Sequence, residues 1–481
     1  MPTVNRLSQS SRRSLPSQMR RVLALMSRTA STCESDDVHR LRVAIRRCRS
    51  FALILEEVDP DPAWRRLRRL CRKLFRVLGD LRDMQVAADW IDRLSAPGDG
   101  VRAAVDGVLE RRGDSSRDRV RLALEDFDRR EWKALAHTLE HRERNVLPNS
   151  AAAQCLVLER YEAVSRLHES AVLTATPAAW HELRIAVKRL RYATETVLPA
   201  RLGTWETGLR QVQDLLGEIH DLDLLDAFLE EGSGAPVEQV AALRRSLTVA
   251  RASRVDEYCR RTVGAASVLH SWRRGLPRGS RVALAVSARL NATAHAADKH
   301  PTRTTRVTRL ALRLFDALSA QKGDADAAHA RAVLGAAGQL HGIRALQRRS
   351  SSAKAAAAFV RESPVPPGWT PEDWEMVSLV VRHHRGAGPS PKHRRFARLP
   401  EASQDIVRGM VGILRLAREL DRQGATVFRV SGSQRTKRVR LHVSGLECTP
   451  VSTLRIVVAQ RLLETYLGRP LIVATSQRTL A

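Results

Sequence analysis

Apolar residues recur three and four positions apart through most of residues 20–265, the period of helices with one buried face. Period-two alternation is absent there, and "LSAPGDG" and "EEGSGAP" read as loops. "GLPRGS", residues 275–280, is a candidate linker, and residues 285–425 return to the helical period with one Pro-rich loop, "ESPVPPGWTPEDW". The tail then changes character. "TVFRV" and "RVRLHV" alternate around the polar turn "SGSQRTK", which predicts a hairpin. "TPVSTLRIVVAQRLLETYLG" reads as a helix with Pro450 near its start, and "PLIVAT" as a last strand. The expected fold is mainly α: a duplicated antiparallel helical bundle, then a second helical domain ending in a small α+β hairpin and strand element. The expected boundaries are a basic flexible tail over 1–19, the duplicated bundle over 20–265, a linker over 266–284 and the second domain over 285–478.

The duplication lies in polar positions as much as in apolar ones. His39-x-x-Arg42-x-x-x-Arg46-Arg47-x-Arg49 returns as His181-x-x-Arg184-x-x-x-Lys188-Arg189-x-Arg191. Each copy is followed by a second matching element, Leu78-Gly79-x-x-Arg82-Asp83 and Leu216-Gly217-x-x-His220-Asp221. At about 100° per residue, the first, fourth, eighth and eleventh positions of such a segment fall within about 80° of one another. His39, Arg42, Arg46 and Arg49 therefore form one cationic stripe, while Leu41, Ala44, Cys48, Phe51, Ala52 and Leu55 face the core. Asp36 or Asp37 is expected to cap this helix, and Thr176 with Pro177 the second copy. The next helix adds a basic stripe of its own through Arg65, Arg69, Arg72, Lys73 and Arg76. Asp83 and Asp221 are expected to pair with neighbouring Arg or His and orient them.

Charge sharpens the picture. The 481 residues hold 81 Lys and Arg against 52 Asp and Glu, a formal charge of +29, and only eight of the cations are Lys. A balance this far from zero implies a polyanionic partner: nucleic acid, an anionic membrane or inorganic polyphosphate. Arg meets phosphate oxygens with a planar fork, which Lys188 lacks. Aromatics are 4% of the chain, too few for stacking platforms along a single strand. No apolar run reaches the roughly 18 residues of a membrane span, and the Arg- and Ser-rich start lacks the apolar core of a secretory signal. The six Cys are scattered without a CxxC pair, which fits reduced thiols in a cytoplasm and no zinc ribbon. A single cationic stripe is ordinarily a solvated face. Its return at identical spacing, with His in the same place, points to a ligand instead.

These residues resemble the CHAD domain, the conserved histidine α-helical domain, over residues 20–265. The resemblance implies binding of inorganic polyphosphate through the basic face and association with polyphosphate granules. It places the phosphate contacts on His39, Arg42, Arg46, Arg49, His181, Arg184, Lys188 and Arg191, with Arg47, Arg82 and Arg189 as secondary candidates. The E-x-E-x-K strand of a triphosphate-tunnel domain, found in many relatives, is absent from this sequence.

Residues 285–475 resemble the C-terminal region of exopolyphosphatase/guanosine-pentaphosphate phosphohydrolase proteins, which implies an HD-like helical fold. The resembling stretches are "RVTRLALRLFDAL", "AVLGAAGQLHGI", "WEMVSLVVRHHRG" and "GILRLARELDR". An HD metal set needs His, then His-Asp, then Asp. Here His341 is followed by Gly342, Arg303 stands near the place of the first His, and Asp421 remains. His383 and His384 are adjacent, point about 100° apart on a helix and cannot chelate together; they are expected on the surface or in packing. The reading is a non-catalytic polyphosphate binder with no cofactor, no metal and no specific nucleic acid. The alternatives are a metal-dependent phosphohydrolase acting on polyphosphate or guanosine polyphosphates, and a non-specific nucleic-acid binder.

Overall fold

The computed structural model describes residues 14–480 apart from 95–99, 231–236, 299, 323–326, 344–352, 425–427, 432–437, 445–448 and 476–478. The chain divides between Ala285 and Val286 into two compact units.

The first unit is built from α1 (Leu15–Thr32), α2 (Ser35–Leu55), α3 (Pro62–Leu94), α4 (Gly100–Glu125) and α5 (Arg129–Glu140), then α6 (Ala151–Thr174), α7 (Pro177–Val197), α8 (Pro199–Glu230), α9 (Val237–Thr262) and α10 (Val268–Arg274). Successive helices from α1 to α4 pack side by side, and so do those from α6 to α9. The two runs meet where α2 packs on α7 and α3 on α8. These are the helices that carry the repeated motifs, so the duplication in sequence is a duplication in space. Trp90 of α3 sits in an apolar cluster with Leu222, Leu225, Phe228 and Leu229 of α8 and Leu243 and Leu247 of α9, which fixes the α3–α8 crossing.

The expected core face of α2 is confirmed: Leu41, Ala44, Cys48, Phe51, Ala52 and Leu55 are all buried. Its capping differs. The helix begins two or three residues earlier than a cap at Asp36 or Asp37 requires, with Glu34 at the cap position and no side-chain bond there. Asp36 pairs with Arg40 at 3.0 Å and buried Asp37 with Arg28 at 3.1 Å. In α7 the Thr176 hydroxyl accepts from the Ala179 amide at 3.3 Å, ahead of Pro177, as expected. Two boundaries shift as well. Helix α1 starts at Leu15, because Leu15, Met19, Val22 and Met26 are buried, so the last part of the expected tail belongs to the bundle. Helix α10 occupies part of the expected linker, anchored by buried Leu269 and Trp272.

The second unit contains α11 (Ser280–Ala297, which runs into it), α12 (Pro301–Lys322), α13 (Ala327–Leu340), α14 (Ala353–Glu362), α15 (Pro371–His383), the single turn α16 (Arg394–Ala397), α17 (Glu401–Arg422) and α18 (Pro450–Leu467). Helices α12, α13 and α15 each pack on α17. Helix α18 also packs on α17, so closely that a Cβ on Gly412 would lie 2.9 Å from Leu463 Cγ. Strands β1 (Phe428–Ser431) and β2 (Val439–Val443) form the expected antiparallel hairpin, Phe428 opposite Val443; most of its turn lies outside the described residues. Helix α18 then returns the chain to β3 (Leu471–Thr475), parallel to β2 with Val439 opposite Leu471. The strand read as the last is not: β4 (Thr479–Leu480) pairs with β3. Among the described residues no helix is long and apolar enough to cross a membrane, and the five described Cys are free thiols.

Candidate functional site

The α2–α7 contact brings the two cationic stripes together. The guanidinium of Arg46, on α2, lies 5.2 Å from the centre of the Tyr192 ring, on α7. Burial depresses the Lys188 pKa to about 7, and Arg184, Arg46 and Arg42 add to the effect, so cations from both repeats crowd one volume. Arg42 likewise feels Arg46 and Arg184 after burial, and Arg49 feels Arg68, Arg72 and Arg189. The Nε atoms of Arg46 and Arg184 are both shielded from water and find no hydrogen-bond partner among the described residues. A buried donor left without an acceptor costs about 1–3 kcal/mol. Two such donors, one from each repeat, suit an acceptor supplied from outside the chain.

The second repeated element positions the first stripe. Arg42 lies across α3, its guanidinium 4.9 Å from the Phe75 ring centre and its Nη1 3.5 Å from the Phe75 carbonyl. Arg49 covers the same ring at 4.5 Å. This approach requires glycine: a Cβ on Gly79 would sit 2.8 Å from Arg42 Nη1. Gly217, its counterpart, has nothing within 4 Å of the same position. Arg82 donates to the Ser35 hydroxyl at 2.7 Å and is thereby held beside His39. In the second repeat His220 replaces it, and the Nδ1 atoms of His181 and His220 lie 3.2 Å apart. Burial, then Arg184, His181 and Lys188, pushes His220 down to about 3, so that pair is neutral near pH 7.

The two aspartates do not pair as expected. Among the described residues neither Asp83 nor Asp221 makes a hydrogen bond or an ion pair. Burial raises both, Asp221 to about 6, although Arg184 opposes the shift in each case. Their side chains line a cavity of about 540 Å³ with Asp80, Arg112, Arg119 and Phe228. Asp83 is open to water at that cavity's edge, but concave walls around it still penalise its charge. Carboxylates at a cavity wall repel anions, whereas the face where α2 meets α7 is cationic.

Other candidates divide. Arg65 pairs with Glu56 at 2.6 Å and Lys73 with Asp126 at 2.6 Å, whereas Arg69, Arg72 and Arg76 are exposed without an ion pair among the described residues. Arg191 is tied within its own repeat, to Glu195 at 2.8 Å and to Gln213 at 3.1 Å. Arg47 is half-buried and Arg189 exposed. Sequence reasoning missed Phe75 and Tyr192 as supports for Arg42, Arg49 and Arg46. The signal available was their rarity: the chain has 8 Phe and 4 Tyr, and these two lie on helices that carry the repeated motifs.

In the second unit the residues inspected for an HD metal do not fit one. Both oxygens of Asp421 are taken by arginine, Oδ2 by Arg303 Nε at 3.2 Å and Oδ1 by Arg306 Nε at 3.0 Å. At Gly342 a Cβ would run into Asp298 Oδ2 and the Thr304 hydroxyl, which are hydrogen-bonded to each other. Asp298 thus fills the room an aspartate at 342 would need. Among the described residues no group of three His, Cys, Asp or Glu is arranged to hold a metal ion. His383 and His384 are both buried, not on the surface. They diverge as expected, His383 toward His393 with ring centres 4.7 Å apart and His384 toward His341 at 5.3 Å. Burial pushes His341 and His383 down to about 4 and His384 well below its ordinary value.

These arrangements define a strongly basic, mainly helical protein with a cationic face built from two repeats. Residues 14–230 match the CHAD domain family model, and residues 289–445 match the Ppx/GppA phosphatase, domain III, model. The chain therefore joins a CHAD domain to a Ppx/GppA phosphatase domain III. No curated protein matches the chain significantly. A crystal structure of the CHAD domain from the plant Ricinus communis is similar at 21% identity and a TM-score of 0.42, covering 53% of this chain and 89% of that one.

Proposed function

We propose that this protein binds inorganic polyphosphate along the face shared by α2 and α7, without hydrolysing it, and that this binding recruits it to polyphosphate granules in the cytoplasm. Both domain assignments are tied to polyphosphate-related function. The observation that carries the reading is the meeting of Arg42 and Arg46 with Arg184 and Lys188, where Arg46 Nε and Arg184 Nε find no acceptor among the described residues. Helix neighbours three or four apart are about 5–6 Å from one another, so each stripe presents a row of cations to a linear phosphate chain. Arg46, Arg42 and Arg184 engage oxygens by fork geometry and Lys188 by charge. Nothing in this arrangement reads a base edge, so discrimination from nucleic acid rests on charge density. The test is competition between long polyphosphate and duplex DNA at matched phosphate concentration. Polyphosphate is expected to win, and a tie or a win for DNA overturns the reading. Incubation with polyphosphate and added Mg²⁺ or Mn²⁺ separates binding from hydrolysis, since release of phosphate would favour the phosphohydrolase alternative.

A further inference from the structure

The surroundings of Asp421 in the second unit gather positive charge. Helix α12 delivers Arg303 and Arg306 to Asp421. Helix α17 delivers Arg418 one turn before Asp421, and Arg418 Nη1 donates to the His384 carbonyl at 3.0 Å. The next residue, Arg385, is exposed and makes no hydrogen bond or ion pair among the described residues. The nearby carboxylates are already used. Asp421 holds two guanidinium groups, while Asp298 accepts from the Thr304 hydroxyl and, at 2.9 Å, from the His300 amide. Glu419 is paired with Arg422 at 3.1 Å. Arg415 does the structural work, donating to the carbonyls of His383 at 2.6 Å, Gly386 at 2.8 Å and Ala387 at 3.1 Å. It thereby fixes the loop from which Arg385 projects.

We propose that Arg303, Arg385 and Arg418 form a binding site for a phosphoryl dianion, either the free phosphate ion or the end group of a polyphosphate chain, at the place where an HD-like fold would hold metal. Cations from three separate elements act on one another there, and the carboxylate nearest Arg418, Glu419, is shared with Arg422 and Arg455, while Arg385 makes no ion pair among the described residues. Burial, with Arg385 and Arg303 beside it, depresses Arg418 to about 9 although Glu419 opposes the shift, a like-charge crowding that a bound dianion relieves. His341 and His384 stay neutral and add no charge of their own. Guanidinium forks donate to the oxygens of a tetrahedral anion and cannot ligate a metal ion. The site lies wholly in the second unit and does not depend on the polyphosphate face of the first.

Hydrogen exchange on the full-length protein tests this, with sodium phosphate in one arm, tripolyphosphate in another and sodium chloride at matched ionic strength as reference. Both phosphates are expected to slow exchange across residues 383–388, and Arg385→Gln, which breaks no contact within the protein, is expected to weaken that protection at least tenfold in concentration. Protection by phosphate alone assigns the free ion, and protection by tripolyphosphate alone assigns the chain end. The variant Arg42→Glu with Arg184→Glu is expected to keep this protection, which separates the site from the first unit. No protection by either ligand, equal protection by chloride, an unaffected Arg385→Gln or loss in the double variant would each overturn the assignment.

Discussion

Replacing Gly79 and Gly217 separately by alanine splits the two repeats in a way that charge mutations cannot. Both glycines lie inside long helices, so each substitution gains roughly 0.5–1 kcal/mol of helix stability. At Gly217 nothing stands within 4 Å of the new methyl. Gly217→Ala should therefore raise the melting temperature of the first unit by about 2–4 °C and leave polyphosphate affinity unchanged. At Gly79 the methyl arrives 2.8 Å from Arg42 Nη1, inside normal contact distance. The guanidinium has to swing away from α3 by several tenths of an ångström, giving up its 3.5 Å approach to the Phe75 carbonyl. Stability holds or rises, since a side-chain end can move. Binding does not, because a charge-assisted hydrogen bond is worth about 1.5–3 kcal/mol, roughly ten- to a hundredfold in Kd. Fluorescence anisotropy with labelled polyphosphate and thermal unfolding of the same samples read both quantities. If Gly79→Ala binds like the parent protein, or if Gly217→Ala weakens binding equally, the placement of Arg42 is not what holds the ligand.

Charge reversal at both Arg42 and Arg184 should reduce polyphosphate affinity at least a hundredfold at moderate salt, and a variant that keeps parental affinity refutes the stripe assignment. Engagement of about six phosphates would make log affinity fall against log salt with a slope of about −4, by the single-strand relation; a slope near zero in a salt titration excludes the shared face. Lys188 titrates near 7 in the free protein, while His220 is already neutral and Asp221, near 6, gains charge just below that range. Both changes make the face less positive as pH rises from 6 to 8, so affinity should fall over that interval with proton uptake on binding. Lys188→Arg should flatten the profile measured by calorimetry in buffers of different ionisation enthalpy.

The helical architecture was legible because period and repetition are properties of the sequence itself. His39, Arg42, Arg46 and Arg49 share a face by spacing alone, and the core positions Leu41, Ala44 and Cys48 follow from the same geometry. The support beneath the stripes was not legible, because Phe75 and Tyr192 meet Arg42 and Arg46 only through tertiary packing. The internal neutralisation of Arg65 and Lys73 was hidden for the same reason, since Glu56 and Asp126 are brought in by the fold. The unequal roles of Gly79 and Gly217 could not be read either, as identical letters at matching positions meet different neighbours. In the second unit the sequence disclosed that Gly342 and Arg303 offer no metal ligand. It could not disclose that Asp298 occupies the space at 342.

That occupation bears on redesign. Changing Gly342 to aspartate would drive its side chain into Asp298 and Thr304, so the first substitution toward a metal set is penalised before it supplies a usable ligand. Asp421 would remain sequestered by Arg303 and Arg306 until at least one of them also changed. Single substitutions toward a metal centre therefore each meet a local penalty here, and only coordinated changes around positions 298, 303, 306 and 342 escape it.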